Sequence, residues 1–178
     1  MAEQLSVRLM TAPDLGAYKA LRDLVLAAHP EAFTSDAETE QRRAPETYLS
    51  RVAGAGDDGW PFTLAAWRGD QLCGAITCER DARLKVRHIG HVVGMMVHPS
   101  ARRRGVGRTL LDACIALARR RRGIELLTLS VTSDNEAALR LYEGAGFVRY
   151  GRLDRALRVG GTAYRKDLMA LYFDDNGA

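Results

Sequence analysis

The chain has 178 residues, of which 47% are hydrophobic and 27% are charged, and this is typical of one globular domain with a substantial core. No long apolar run is free of charges, and the first residues lack the basic and then apolar pattern of a secretory signal, so we expect no membrane partner and no export. The three cysteines, Cys73, Cys78 and Cys114, lack the paired spacing of a zinc site, which predicts reduced thiols, no metal and a cytoplasmic protein.

The net charge of +4 is unevenly distributed. Residues 102–122 contain eight arginines and a single acidic residue, Asp112, so the remainder of the chain is net negative. A local basic excess indicates one anionic ligand rather than a generally basic protein. The arginine run 119–122 ends a predicted helix, where positive charge complements the helix dipole. Because no aromatic residues are interleaved with it, a solvated helix end is favoured over contact with nucleic acid.

The first half of the chain predicts strands and helices separated by turn residues. In chain order these are a strand at 5–10, a helix from a Thr-Ala-Pro-Asp start at 11–14 to the proline at 30, one or two short helices between 35 and 52, a flexible loop at 53–59, and a hairpin of strands 62–67 and 72–78.

The second half predicts a strand–helix–strand unit followed by a further helix and two strands. The elements are a turn at 81–85, a strand at 87–97, a helix at 105–121 ended by Gly123, an apolar strand at 124–132, a helix at 136–145, and strands at 147–158 and 165–173. Right-handed crossover makes the strands at 87–97 and 124–132 parallel. The second of these reads as a central strand covered on both faces.

An anion site is predicted where the strand at 87–97 leads into the helix at 105–121. Arg102, Arg103 and Arg104 precede Gly105 and Gly107 at the start of this helix. A helix N-terminus has free N–H groups and partial positive charge, and glycine lets a ligand approach that backbone. The glycines form neither a Walker loop nor a dinucleotide-binding fingerprint, because the required lysine and the ribose-binding acid are missing from their places.

Two sequence motifs, taken in chain order, narrow the choice of anionic ligand. The first motif opens one helix and is Arg102-x-x-Gly105-x-Gly107. The second follows about thirty residues later and is Asn135-x-x-Ala138-x-x-Leu141-Tyr142-x-x-x-Gly146-Phe147. Together they resemble the GNAT superfamily of acyl-CoA-dependent N-acetyltransferases over about residues 87–150.

The resemblance implies a single α/β domain over residues 1–178, with a mixed, mostly antiparallel sheet of about seven strands flanked by helices. The sheet would splay open between the fourth and fifth strands. Acetyl-CoA would lie in that gap on a cofactor core at about 87–150, and the acceptor would bind to about 12–53 and 150–173. Homodimers are common in the family, so the resemblance also allows a homodimer.

The resemblance assigns the cofactor contacts residue by residue. Backbone groups of residues 102–107 would bind the pyrophosphate, and those of Met95 and Val97 would hold the pantetheine and polarise the acetyl carbonyl. Arg103 departs from the family, which often has glycine there. The full expected set is Met95, Met96, Val97, Arg102, Arg103, Arg104, Gly105, Val106, Gly107, Arg108, Asn135 and Tyr142. Asn135 also suits a helix cap, the simpler role for that residue type.

Acetyl transfer to an amine needs a base for the ammonium, donors for the oxyanion and an acid for the leaving thiolate. The resemblance makes Tyr142 the acid, although it could be only a packed aromatic. His91 lies where several family members carry a glutamate base, and strict alternation would place it on one face with Val93, Met95 and Val97, barring a bulge. A half-exposed histidine without a role, Glu79 as the base, or an ordered water are the alternatives.

The sequence thus predicts an N-acetyltransferase that binds acetyl-CoA and a primary amine together, with direct attack and no metal. A small-molecule acceptor is the first choice, and the net negative remainder of the chain favours a cationic one. A protein N-terminal or lysine acetyltransferase is the alternative within the family. A CoA-binding regulatory module without activity is the alternative of another class.

Overall fold

The computed structural model describes residues 4–52 and 59–173, so most of the loop expected at 53–59 lies outside the described residues. The strands are β1 (Leu5–Leu9), β2 (Phe62–Arg68), β3 (Gln71–Arg80), β4 (Ile89–Val97), β5 (Leu126–Thr132), β6 (Val148–Val159) and β7 (Thr162–Tyr172). The helices are α1 (Leu15–Ala28), α2 (Ala37–Gln41), α3 (Val106–Arg119) and α4 (Glu136–Gly144). Short 3₁₀ segments lie at Ala12–Asp14, Pro30–Ala32, Pro45–Arg51 and Pro99–Ala101.

The strands form one seven-stranded sheet in the order β1-β2-β3-β4-β5-β7-β6. All neighbours are antiparallel except β4 and β5, which are parallel as the crossover rule predicts. β4 and β5 pair over only three positions, from Ile89 opposite Leu126 to His91 opposite Thr128. Both strands continue beyond these pairs without pairing to each other, so the sheet opens into the expected gap.

Helices cover both faces of the sheet. The larger core cluster packs α3 and α4 against β2 to β5 and β7, around fully buried side chains such as Leu110, Leu127 and Met169. The smaller cluster packs α1 and the segment Pro45–Arg51 on the other face, around Tyr18 and Met96. The two faces are called the α3 face and the α1 face below.

Helix α1 begins where the Thr-Ala-Pro-Asp signal predicts. Thr11 and Asp14 form a capping box over the 3₁₀ turn that leads into the helix. Arg8 donates two hydrogen bonds to the Asp14 carboxylate at 2.7 and 2.8 Å, which holds the pKa of Asp14 well below its usual range. This ion pair fixes the end of β1 to the start of α1.

Strand β5 is central but is not covered on both faces, so that interpretation is wrong. Leu127, Leu129 and Val131 are buried on the α3 face, whereas Thr128 is half-buried and Ser130 is exposed on the other. The alternation of apolar and hydroxyl residues is that of a strand with one wet face. The gap beside β4 leaves this face of β5 open at Ser130, whereas Thr132 at the end of the strand is buried and donates to the Glu31 carbonyl at 2.6 Å.

Strand β4 starts at Ile89 rather than at residue 87 and contains a β-bulge. Thr77 is opposite Val93 and Ala75 is opposite Met96, so two residues of β4, Gly94 and Met95, oppose one residue of β3. Gly94 has a φ of +58°, which glycine adopts without a steric penalty. The bulge reverses the alternation of the strand from that point onward.

The bulge overturns the expectation that His91, Val93, Met95 and Val97 share one face. His91 is the cross-strand partner of Glu79 on the α1 face, on the same side of the sheet as the buried Met96. Met95 and Val97 pack against the core of the α3 face. The physical reason is the extra residue, because a shift of one position moves every following side chain to the opposite face.

Candidate functional site

The N-terminus of α3 is the predicted anion site, and its backbone has the geometry of a turn that needs glycine. Gly105 is the N-cap residue with φ +79°, and a Cβ there would meet no atom within 4 Å, so the constraint is the dihedral angle rather than space. Arg103 has a φ of +57°, an unusual conformation for a residue with a side chain. This explains physically why glycine suits position 103.

The first turn of α3 is packed closely against β4 and α4. A Cβ on Gly107 would lie 3.3 Å from Met95 Cε and 3.5 Å from Leu141 Cδ2. On the neighbouring strand, a Cβ on Gly74 would lie 2.8 Å from the Met96 carbonyl oxygen and 2.9 Å from Leu110 Cδ1. Glycine at 74 and 107 therefore lets the helix N-terminus approach the end of β4, where the gap opens.

The arginines around this turn have different surroundings. Arg102, Arg103 and Arg104 are exposed and flank the free N–H groups of the helix start. Arg108 donates to the Asp112 carboxylate at 2.8 Å and to the Gly144 carbonyl at 3.1 Å, so it joins α3 to the end of α4. Arg108 thus has a structural role beside the predicted cofactor contact.

Asn135 caps α4. Its Oδ1 accepts a hydrogen bond from the Ala138 N–H at 3.1 Å, which confirms the simpler of its two predicted roles. The cap sets the direction of the helix that carries Tyr142.

Tyr142 is 9% exposed and lies edge-to-face against Phe147. Its hydroxyl donates to Met95 Sδ at 3.5 Å, so the structure brings together the two predicted residues of α4 and β4. Burial, with a smaller contribution from the nearby Cys114 thiol, raises the pKa of Tyr142 to about 12. The phenol therefore keeps its proton at neutral pH and points it at a sulfur atom beside the gap.

His91 lies on the α1 face, on the opposite side of β4 from Met95 and Tyr142. Its Nδ1 is 2.7 Å from Thr128 Oγ1, across the last pair that joins β4 to β5. Glu79, the alternative base, is its cross-strand neighbour on β3. Both base candidates are therefore at the narrow end of the gap and on the same face.

A cavity of about 400 Å³ lies on the α1 face, between α1, α2, the segment Pro45–Arg51 and β3. Its volume is within the range of small-molecule sites. Inside it, Arg22 Nε donates to Glu40 Oε2 at 2.6 Å, and the Tyr48 hydroxyl donates to the same oxygen at 2.5 Å. Burial and this hydrogen bond raise the pKa of Tyr48 to about 12. Glu79, one of the two base candidates, also lines this cavity.

Arg51 joins the cavity to the β4 bulge, and sequence reasoning missed it. Its Nη1 donates to the Tyr18 hydroxyl at 3.0 Å, and its Nη2 lies 4.0 Å from Glu79 Oε1. A Cβ on Gly94 would be only 3.0 Å from Arg51 Nη1. No local pattern marks Arg51, because it is 43 positions from Gly94 in the chain.

The cysteines and the basic run make contacts that stabilise the fold. Cys73, Cys78 and Cys114 are free and buried, and a hydrogen bond with Cys114 together with burial raises the pKa of the Cys78 thiol well above its ordinary value. In the basic run, Arg119 lies over the Phe173 ring and Arg121 over Phe62. Within residues 4–52 and 59–173 we find no group of three metal-ligating side chains and no helix able to cross a membrane.

Comparisons with known proteins agree on one family. The model of the Acetyltransferase (GNAT) family matches residues 18–147. N-alpha-acetyltransferase 30 of Schizosaccharomyces pombe is 32% identical over 60% of this chain and 71% of its own length. The mycothiol acetyltransferase of Salinispora tropica is 33% identical over 77% of this chain, and this chain spans only 42% of that relative.

Solved structures agree on the fold. A putative acetyltransferase of Salmonella typhimurium, yncA, solved with its cofactor acetyl-CoA, has a TM-score of 0.84 and 20% identity over 98% of this chain and 97% of its own. A GNAT-family acetyltransferase of Streptococcus pneumoniae has a TM-score of 0.79 and 24% identity over 96% of this chain and 100% of its own.

The two left-handed residues before α3 predict opposite effects of substitution. Gly105→Ala should destabilise the fold by about 1 kcal/mol, because a Cβ is strained at positive φ. Arg103→Gly should raise stability or leave it unchanged, since it removes that strain from a neighbouring residue. Thermal unfolding measures both, with the Gly105→Ala midpoint expected about 2–4 °C below wild type. Equal loss in both variants would contradict the assignment of strain to Arg103.

Proposed function

Because this chain belongs to the GNAT family of acetyltransferases, which use acetyl-CoA, we propose that it moves the acetyl group to a primary amine of a small molecule. The amine attacks directly while both substrates are bound. The observation that carries this proposal is the gap beside the β4 bulge, which opens between the two faces of the sheet. Tyr142 and the α3 N-terminus lie on one face, for the cofactor, and His91, Glu79 and the cavity lie on the other, for the acceptor.

The α3 N-terminus suits the pyrophosphate of acetyl-CoA. The N–H groups of its first turn have no acceptor within the helix, and the helix dipole adds positive potential. Arg102, Arg103 and Arg104 are exposed around that turn and supply countercharge. Backbone groups of residues 102–107 would bind the phosphates, as backbone amides do at other helix starts.

The end of β4 suits the pantetheine and the acetyl group. β4 pairs with β5 only as far as His91, so the edge of Met95 and Val97 that faces β5 is free to bind a ligand. Their N–H and C=O groups would hydrogen-bond the pantetheine and polarise the acetyl carbonyl. Donors aimed at that carbonyl stabilise the oxyanion of the tetrahedral intermediate.

Tyr142 would act as the general acid. As the amine nitrogen bonds to the acetyl carbon, the carbon–sulfur bond breaks and the phenol protonates the leaving thiolate. A thiolate, with an ordinary pKa of about 8.5, is a weaker base than the phenolate of Tyr142, so the phenol first stabilises the leaving sulfur by a hydrogen bond. Its proton passes to the sulfur as solvent returns a proton to the phenolate oxygen. The phenol already donates to a sulfur, Met95 Sδ, on the cofactor side of the gap.

The base would act from the opposite side of β4. An alkylammonium has an ordinary pKa of about 10.4 and must lose its proton before attack. His91, held by Thr128, and its neighbour Glu79 are placed for this on the α1 face, and an ordered water is the third option. The bulge supports this division, because it leaves His91 and Glu79 on the α1 face and turns Met95 towards Tyr142 on the α3 face.

A small-molecule acceptor is favoured by the size of the cavity. The relatives include both a mycothiol acetyltransferase and N-alpha-acetyltransferases, so acetylation of a protein N-terminus or lysine is the second candidate. A CoA-binding module without activity is the third. We further propose one domain over residues 1–178, a cytoplasmic location for its reduced thiols, and a homodimer as in other family members.

A panel of amines, amino acids and peptides, screened for acetyl-CoA-dependent release of free thiol, tests the function. We expect release with at least one small amine and a higher melting temperature in acetyl-CoA, since a ligand of the native state stabilises it. Stabilisation without release on any acceptor would favour the regulatory module. Release with peptides alone would favour the protein acetyltransferase.

Replacement of Tyr142 by Phe tests the acid. Turnover should fall by at least roughly tenfold, because the thiolate leaves without a proton donor, while the affinity for acetyl-CoA stays nearly unchanged. Tyr150→Phe, at an exposed residue of β6, is the matched control and should behave as wild type. Turnover of Tyr142→Phe equal to that of the control would show that Tyr142 only packs.

The pH dependence of kcat/KM tests the base. A base must be unprotonated, so the rate should rise with pH through its pKa, at about pH 6.5 for an ordinary imidazole. The pKa of Tyr142, raised to about 12, predicts no falling limb from the acid until well into the alkaline range. His91→Ala should abolish the rising limb if His91 is the base, and Glu79→Gln should do so if Glu79 is. A rising limb that is unchanged in both variants would indicate that an ordered water acts as the base.

A further inference from the structure

We propose that the acceptor carries a carboxylate next to its reactive amine, as an amino acid does, and that Arg51 binds this carboxylate. The inference rests on the proposed acetyl transfer and names the class of its acceptor. It starts from an arginine that lies at the junction of the cavity and the β4 bulge.

The guanidinium of Arg51 has unused donors. A guanidinium carries five N–H groups, and Arg51 makes one hydrogen bond within the described part of the chain, to the Tyr18 hydroxyl at 3.0 Å. Glu79 is 4.0 Å away, which is an ion pair but not a hydrogen bond. Arg22 in the same cavity differs, because its Nε and Nη2 are occupied by Glu40 and Ser35 at 2.6 and 2.7 Å.

The charges of the cavity lining fall into two groups, and the excess positive charge belongs to the group that does not contain Arg51. Three arginines and two glutamates line it, namely Arg22, Arg43, Arg51, Glu40 and Glu79. Glu40 is bound by Arg22 at 2.6 Å and lies 3.3 Å from Arg43, and the pKa of Glu40 is lowered against the effect of its burial. Those three side chains form a closed group. Arg51 faces the loosely held Glu79 and can accept a planar anion in its fork.

Arg51 also lies at the correct place for such an anion. Its Nη1 is 3.0 Å from the position of a Cβ on Gly94, the residue directly before Met95, where the acetyl group is proposed to sit. A carboxylate on Arg51 would therefore hold an amine one carbon away close to the acetyl carbon. Glu79 would then face the ammonium end. One cation and one anion suit a zwitterion, which keeps the cationic amine that the net negative remainder of the chain outside residues 102–122 favours.

Matched pairs of acceptors test this inference. Each pair is an amino acid and the amine left after removal of its carboxylate, such as phenylalanine with 2-phenylethylamine and lysine with 1,5-diaminopentane. We expect the wild type to favour the carboxylated member by roughly tenfold or more in kcat/KM, as a charge-assisted bidentate bond allows. Arg51→Ala should abolish this preference, mainly through KM of the amino acid, and leave the decarboxylated amine unaffected.

Two further variants control for charge and folding. Arg51→Lys retains the charge without the fork and should restore part of the preference. Arg83→Ala removes an exposed arginine outside the expected acceptor-binding ranges, paired with Asp81, and should leave the preference intact. Stabilisation by acetyl-CoA, measured for every variant, shows whether the fold and the cofactor site survive. If Arg51→Ala does not fold, the preference measured for Arg51→Lys tests the role of Arg51 instead.

Four results are distinguishable. Equal or better use of the decarboxylated amines by wild type, or an equal loss on both members in Arg51→Ala, would overturn the role of Arg51. Thiol release with peptides but with neither member of any pair would overturn the inference while acetyl transfer stands. No release with any acceptor would overturn the proposed function as well.

Discussion

One extra residue in β4 sets the arrangement of the whole site. Gly94 and Met95 together oppose one residue of β3, and the left-handed Gly94 makes this bulge possible without strain. Before the bulge, His91 faces α1. After it, Met95 faces α3 and contacts Tyr142. The proposed proton donor, Tyr142, and the proposed proton acceptor, His91, therefore lie on opposite faces of β4, which a regular strand would not allow.

Close packing of α3 against β3 and β4 fixes the position of the helix N-terminus relative to the bulge. Gly74 has no space for a Cβ between the Met96 carbonyl oxygen and Leu110, and a Cβ on Gly107 would be in tight contact with Met95. The helix start is thereby held beside the free edge of β4, so the proposed pyrophosphate and acetyl positions belong to one rigid surface. The backbone donors proposed for the acetyl carbonyl at Met95 and Val97 would then need little reorganisation as charge develops, the condition under which such donors contribute most to catalysis.

Much of this architecture could be predicted from local signals. The helix caps at Thr11 and Asn135, the left-handed Gly123 and the crossover from β4 to β5 follow from residue types at short spacing, and the structure has all four. The bulge could not be predicted, because strand alternation counts positions and a single inserted residue leaves no compositional mark. The difference between the two faces of β5 could have been predicted, since its hydroxyl residues occur at every second position.

Arg51 shows the other limit of local reasoning. Its contacts with Tyr18, Glu79 and Gly94 join three separate elements, and nothing in the neighbouring residues distinguishes it from the exposed arginines nearby. Only the fold shows that its guanidinium lies over the bulge. Residues that select an acceptor need only share a cavity, whereas backbone groups that bind a phosphate must share a loop. Local motifs could therefore point to the proposed cofactor site, but the proposed acceptor site needed the fold.

A crystal structure of the chain with acetyl-CoA tests the central claim most directly. The account predicts pyrophosphate oxygens within about 3 Å of backbone N–H groups in residues 102–107, and the thioester sulfur in place of Met95 Sδ as the acceptor of the Tyr142 hydroxyl. The acetyl carbonyl would lie at the free edge of β4, with Arg51 across the bulge. Pyrophosphate bound away from the α3 N-terminus, or a thioester on the α1 face of β4, would contradict the account.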